Sequence, residues 1–388
     1  MRKISDTIAR LAAFAAQPDF HAANDPAADR LLDYRGFGSN PGALRMRYYL
    51  PENLPETAPL VVVLHGCTQN AAGYDRGSGW SQLADQAGFA LLFPEQQRSN
   101  NPNLCFNWFL PTDTKRGCGE ALSIYQMIEA LISAHGLDRK RIFVTGLSAG
   151  GAMAAVMLAT YPDVFAGGAI IGGLAYGCAN TIPEAFDRMR GHGGPSEHDL
   201  QQLLRGASQH QGAWPKISIW QGSADHTVAP VNAEAILGQW RSVHKLGKTP
   251  TGSEMVDGYA RRVWCDDSGT EVLEAYTIAG MGHGTPLATR GNDGLGVPAP
   301  FMLDVGISST RHIANFWGIA SSETRATASS GQQKPRDSQS TWPWRDVART
   351  EAPPSSLHRE RTAASPKADS NGVRKIIEDA LRSAGLMR

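Results

Sequence analysis

Residues 141–155 read RIFVTGLSAGGAMAA. An apolar run, Ile142-Phe143-Val144, meets Gly146-Leu147-Ser148-Ala149-Gly150 and passes at once into an Ala- and Met-rich stretch. A chain can change from strand to helix this abruptly only if the residues flanking the turn carry no side chains, because these would strike the strand or the helix. One reading is a tight turn of small residues. The flanking strand and helix patterns favour another: a strained elbow that lifts the Ser148 hydroxyl clear of a sheet edge and leaves the Ala149 N–H at a helix N-terminus.

The rest of the chain supplies that sheet. Residues 42–50 (GALRMRYYL) read as a strand, and PLVVVLHG as a strand buried on both faces. A helical stretch covers Trp80 to Gly88, followed by the strand FALLFPE. Residues 119–134 place Leu122, Tyr125, Ile128 and Ile132 on one helical face, with Gly136 as the stop. ISIWQG (217–222), a helix from Asn232 to Lys245, EVLEAYTIAG (271–280) and a last helix from Ser309 to Trp317 continue the alternation. Strands alternating with helices predict an α/β fold, a mostly parallel sheet with helices on both faces. Ligands of such sheets sit at the carboxyl ends of the strands.

Composition narrows the function. Lys+Arg and Asp+Glu both number 37, so the formal net charge is zero and bulk nucleic-acid or anionic-membrane binding is not expected. The 11 His and five Cys show no metal-ligand spacing, and no run reaches the ~18 apolar residues of a membrane span. Residues 1–40 read as an amphipathic helix and lead-in, with Ile4, Ile8, Leu11 and Ala15 at helical spacing rather than a signal-peptide core. The α/β domain spans 41–320. Residues 321–370, rich in Ser, Thr, Pro and charge, predict a disordered linker. Residues 371–388 predict a short amphipathic helix, with Val373, Ile376, Ile377, Ala380, Leu381 and Ala384 as its stripe. One such helix is marginal alone, so it is expected to dock on the main domain or on a partner.

Serine alone is a weak nucleophile; it needs a base, and the base an orienting carboxylate. In sheets carrying this elbow the chain order is serine, acid, histidine. Asp225, in the loop after ISIWQG, is the candidate acid, and His283, between glycines after the last strong strand, the candidate base. His226 adjoins the acid, His312 lies in a helical stretch and His65 precedes the serine. The second oxyanion donor is expected from LHGCTQ, where Gly66 lets the chain turn and the Cys67 N–H joins that of Ala149. His65 is read as bracing this loop. Trp80, Trp108 and Trp220 fall near predicted strand ends and are candidates for an acyl or aromatic pocket, with core packing as the competing reading. This set needs no metal or organic cofactor.

LHGCTQNAAGYDRGSGWSQLADQAGFALLFPEQQRSNNPNLCFNWF, GLSAGGAMA and GMGHGTPL, in that order, resemble the polyhydroxybutyrate (PHB) depolymerase-like esterases, relatives of feruloyl and acetylxylan esterases. The resemblance spans roughly residues 40–320. It implies an α/β-hydrolase fold and a serine esterase with catalytic Ser148, Asp225 and His283 and oxyanion donors Cys67 and Ala149. It also suggests a Cys67–Cys105 disulfide that stiffens the loop, and more weakly a Cys178–Cys265 pair. The implied substrates are short-chain polyhydroxyalkanoate or 3-hydroxybutyrate oligomers and related small esters, with feruloyl or acetylxylan esters as the alternative. A non-catalytic scaffold on a partner or polymer granule is the alternative of another class. The resemblance implies an extracellular or periplasmic protein, whereas the lack of a signal-peptide pattern leaves a cytoplasmic one open.

Overall fold

The computed structural model describes residues 29–320. The expectations for residues 1–28, for the linker and for the C-terminal helix lie outside the described residues.

A ten-stranded sheet runs through the middle of the domain in the order β1-β2-β4-β3-β5-β6-β7-β10-β9-β8. The strands are β1 (Leu32–Tyr34), β2 (Arg45–Tyr49), β3 (Leu60–Leu64), β4 (Ala90–Glu95), β5 (Ile142–Leu147), β6 (Gly167–Ile171), β7 (Lys216–Gly222), β8 (Gly252–Val256), β9 (Tyr259–Cys265) and β10 (Glu271–Ile278). The six from β4 to β10 in that order pair parallel, and antiparallel strands extend both edges. The helices are α1 (Ala71–Ser78), α2 (Trp80–Ala87), α3 (Gly119–His135), α4 (Ala149–Thr160), α5 (Ile182–Met189), α6 (Glu197–Gly206), α7 (Val231–Val243) and α8 (Ser309–Trp317). A small parallel pair, β11 (Thr285–Leu287) and β12 (Met302–Asp304), lies beyond the main sheet.

The period of two along β3 divides the core. Leu60, Val62 and Leu64 face α3, α4 and α7 in one apolar cluster, while Val61 and Val63 face α1, α2 and α8 in the other. Every residue of α4 is buried, which is why this helix is apolar all round instead of amphipathic.

One expectation changes, and three strands go unread in the sequence. In α3 the buried face is Ala121, Ile124, Met127, Ile128, Leu131 and Ile132, with Leu122 and Tyr125 only half-buried at its margin. Strand β6 (GGAII) escapes the sequence pattern because two of its five residues are glycines. The antiparallel strands β8 and β9 also go unnoticed: β8 is largely exposed and carries no buried alternation.

The strand order reverses around β3. The chain steps from β3 out to β4, then crosses back to β5 on the other side. At such a switch point the two carboxyl-end loops diverge and leave a crevice. His65-Gly66-Cys67 follows β3 and Ser148 follows β5, so both open on that crevice.

Candidate active site

Ser148 has φ +58° and ψ −118°, a positive-φ conformation outside αL that non-glycine residues seldom occupy, and its N–H donates to the Ile171 carbonyl of β6 at 2.9 Å. The flanking glycines are required by contact. A Cβ on Gly146 would lie 2.4 Å from the Gly150 carbonyl oxygen, and one on Gly150 would lie 2.3 Å from that of Leu64. The elbow therefore fits only because β3, β5 and α4 approach backbone to backbone.

Asp225 sits in the loop after β7, 3% exposed. Its Oδ1 accepts the N–H groups of Thr227 (2.8 Å) and Val228 (2.9 Å). Its Oδ2 accepts Gln221 Nε2 at 3.3 Å and pairs with His283 Nδ1 at 2.7 Å. An acceptor on Nδ1 fixes the neutral imidazole with its proton there and leaves Nε2 as the basic nitrogen. His283 follows β10 and lies edge-on to Phe301.

The β3 loop is braced from below. Buried His65 receives the Gln96 N–H on Nε2 (3.1 Å) and donates from Nδ1 to the Gly66 carbonyl (2.8 Å). Burial lowers its pKa, which keeps the ring neutral, as this pattern of one acceptor and one donor requires. Thr68, two residues on from Gly66, holds φ +64°, a strained value for a β-branched residue, and its N–H is fixed to the Asn103 carbonyl at 2.7 Å. Cys67 and Cys105 are joined in a disulfide that ties this loop to the segment after β4. Beneath that segment Glu120, fully buried at the start of α3, accepts Asn107 N–H (2.8 Å), Gln96 Nε2 (2.6 Å) and Asn100 Nδ2 (3.2 Å). Burial pushes its pKa up to about 8 against those three donors.

A cavity of about 30 Å³ lies at the crevice, lined by Gly66, Cys67, Gln69, Leu147, Ser148, Met189, Thr227, His283 and Phe301. It brings together Ser148, His283 and the Cys67 turn, with Asp225 directly behind the histidine. The amides of Cys67 and Ala149 have no acceptor among the described residues.

The tryptophans are a correction. Trp80, Trp108 and Trp220 are all buried and none borders the cavity. Trp80 stacks on Trp317, Trp108 packs edge-on to Phe109, and Trp220 stacks on Tyr276 while its Nε1 donates to Ser218. Their large apolar area is used inside the sheet–helix layers, where it contributes most. Cys178 and Cys265 are likewise not paired; Cys178 is buried in the α3/α4-side core, and Cys265 is half-exposed at the end of β9.

Sequence reasoning missed Gly172, directly after β6. Its φ is +51°, and a Cβ there would lie 3.3 Å from His283 Cε1 and Nδ1. The Gly172-Gly173 pair ending an apolar run was the available signal. Met189 and Phe301 had none: they reach the cavity from the last residue of α5 and from the loop before β12. Among the described residues no cluster of three metal-binding side chains occurs, and no helix is long and apolar enough to cross a membrane.

A parallel sheet with a serine elbow at its switch point and a histidine–aspartate pair on later loops defines an α/β-hydrolase, and the comparisons make the protein a carboxylic ester hydrolase. The chain belongs to the esterase PHB depolymerase family, whose family model matches residues 44–254. Poly(3-hydroxyalkanoate) depolymerase C of Paucimonas lemoignei is 44% identical over 315 residues, covering 81% of this chain and 76% of the relative. Feruloyl esterase B of Talaromyces funiculosus is 30% identical over 270 residues, 67% of this chain and 74% of the relative. Among solved structures, the acetyl xylan esterase from Aspergillus awamori superposes with a TM-score of 0.64 at 26% identity, over 75% of this chain and 99% of that one.

Proposed function

We propose that the protein hydrolyses short-chain 3-hydroxyalkanoate esters, as oligomers or related small esters, through an acyl-enzyme on Ser148. His283 Nε2 takes the Ser148 hydroxyl proton as Oγ attacks the ester carbonyl. Asp225 holds the imidazole in the required tautomer and stabilises the imidazolium that forms. The Cys67 and Ala149 N–H groups receive the developing oxyanion. Collapse of the intermediate expels the alcohol, protonated by His283, and water then repeats the sequence to release the acid.

One observation carries the reading: a single cavity holds Ser148, His283 and the Cys67 turn, while buried Asp225 grips His283 Nδ1 at 2.7 Å. Leu147, Met189 and Phe301 give the cavity apolar walls, which suit the acyl part of an ester. The named activity of the Paucimonas lemoignei relative points the same way.

The test is product release from a 3-hydroxybutyrate trimer and from methyl ferulate, side by side, with Ser148→Ala as the blank. Faster serine-dependent release from the trimer is expected. Faster release from the ferulate would move the protein to the aromatic esterases, and wild-type turnover by Ser148→Ala would overturn the nucleophile. Absence of hydrolysis across a broad ester panel would favour a non-catalytic scaffold.

A further inference from the structure

Gln69 borders the same cavity as Ser148 and His283, two residues beyond Cys67. Its side chain folds back so that Oε1 accepts the Gly66 N–H at 2.9 Å, while its own N–H donates to the Gly66 carbonyl. Only an oxygen can accept that N–H, so the orientation of the side-chain amide is fixed chemically. The Nε2 group is left with two donor hydrogens and no acceptor among the described residues. Gln69 thus brings a side-chain donor of fixed orientation to a residue that borders the cavity, two positions from Cys67.

We propose that Gln69 Nε2 is a third hydrogen-bond donor to the ester carbonyl oxygen as it becomes an oxyanion, alongside the Cys67 and Ala149 amides. The inference rests on the serine-esterase reading. Gln69 thus has two linked tasks: Oε1 sets the turn that presents the Cys67 N–H, and Nε2 meets the charge that develops there. Preorganised donors stabilise such charge without reorganising during the reaction. No proton leaves Gln69 at any step; the serine proton still travels by way of His283 to the leaving alcohol.

Two variants separate the tasks. Gln69→Glu keeps an oxygen for the Gly66 N–H but removes the donor; Gln69→Met removes both without adding charge. Each is compared with wild type for kcat and KM on p-nitrophenyl butyrate and on ethyl butyrate, with melting temperature in parallel and Ser148→Ala as the blank. The expected result is a fall in kcat on the order of 10²-fold in both variants, on both esters, with KM little changed. Loss in Gln69→Met alone would mean that the side chain only holds the turn. Loss in Gln69→Glu alone would mean a charge effect. Loss confined to ethyl butyrate would place the donor on the leaving alcohol. Each of these three, or full activity in both variants, overturns the proposal. A failure of the serine-esterase reading looks different, since Ser148→Ala would then turn over like wild type.

Discussion

Replacing Gly172 with alanine tests whether the backbone after β6 sets the histidine–aspartate pair. Two costs arise at once. An L-residue at φ +51° occupies the left-handed region, at about 1–2 kcal/mol. The new Cβ also meets His283 Cε1 and Nδ1 at 3.3 Å, closer than the ~3.5–4.0 Å optimum for carbon contacts, while Asp225 Oδ2 at 3.6 Å is an ordinary contact. The imidazole must then retreat by a few tenths of an ångström. Since a misplacement of about 1 Å can cost on the order of 10² in rate, a loss of roughly 3- to 10-fold in kcat is expected. The strain alone lowers the melting temperature by roughly 2–8 °C. Gly136→Ala is the control. Gly136 has φ +66° at the end of α3 but nothing within 4 Å of its would-be Cβ, so it carries strain without contact. The assay is kcat and KM on p-nitrophenyl acetate, with thermal melts of both variants. Similar melting losses, with kcat reduced only in Gly172→Ala, are expected. An unchanged kcat in Gly172→Ala, or the same fall in both, would refute the argument.

Cys105→Ala opens a loop closed across 38 residues, which chain entropy values at about 4 kcal/mol. A lower melting temperature, together with reduced kcat from a loosened Cys67 turn, is expected; a melt equal to wild type under oxidising conditions would count against the disulfide. The Glu120 carboxyl, near 8 when folded, ordinarily titrates near 4.5. Between those values the folded state holds the extra proton, so its contribution to stability is greatest below about pH 4.5 and declines as pH rises towards 8. Glu120→Gln should flatten that part of the melting-temperature profile, and superimposable slopes would contradict the assignment. Trp220→Phe loses the Nε1–Ser218 hydrogen bond at 2.8 Å and should destabilise by about 1 kcal/mol with KM unchanged, whereas a raised KM would return Trp220 to the pocket.

The particular residues show where local pattern suffices. The strand–serine–helix junction was legible because Gly146 and Gly150 are demanded by contacts within a short stretch of chain and with the adjoining strand. The buried strands β3, β4, β5 and β7 announced themselves as apolar runs because both of their faces are covered. Asp225 and His283 were legible as candidates through their places after strands in a fixed chain order, and the fold brings them to 2.7 Å. The glycine-rich β6 and the exposed β8 carried no such pattern, since their pairing depends on neighbours far away in sequence.

What the sequence by itself determined was the alternation of elements, the elbow and the candidate serine, acid and histidine, because each is encoded by side-chain period or by steric demands within a few residues. What only the tertiary structure decided was the lining of the cavity. Met189 reaches it from the end of α5 and Thr227 and Phe301 from two separate loops, the three tryptophans turn away into the core, and Gly172 lies against His283 across 111 residues of chain. Such contacts depend on where whole elements come to rest against one another, and no local pattern of residues carries that information.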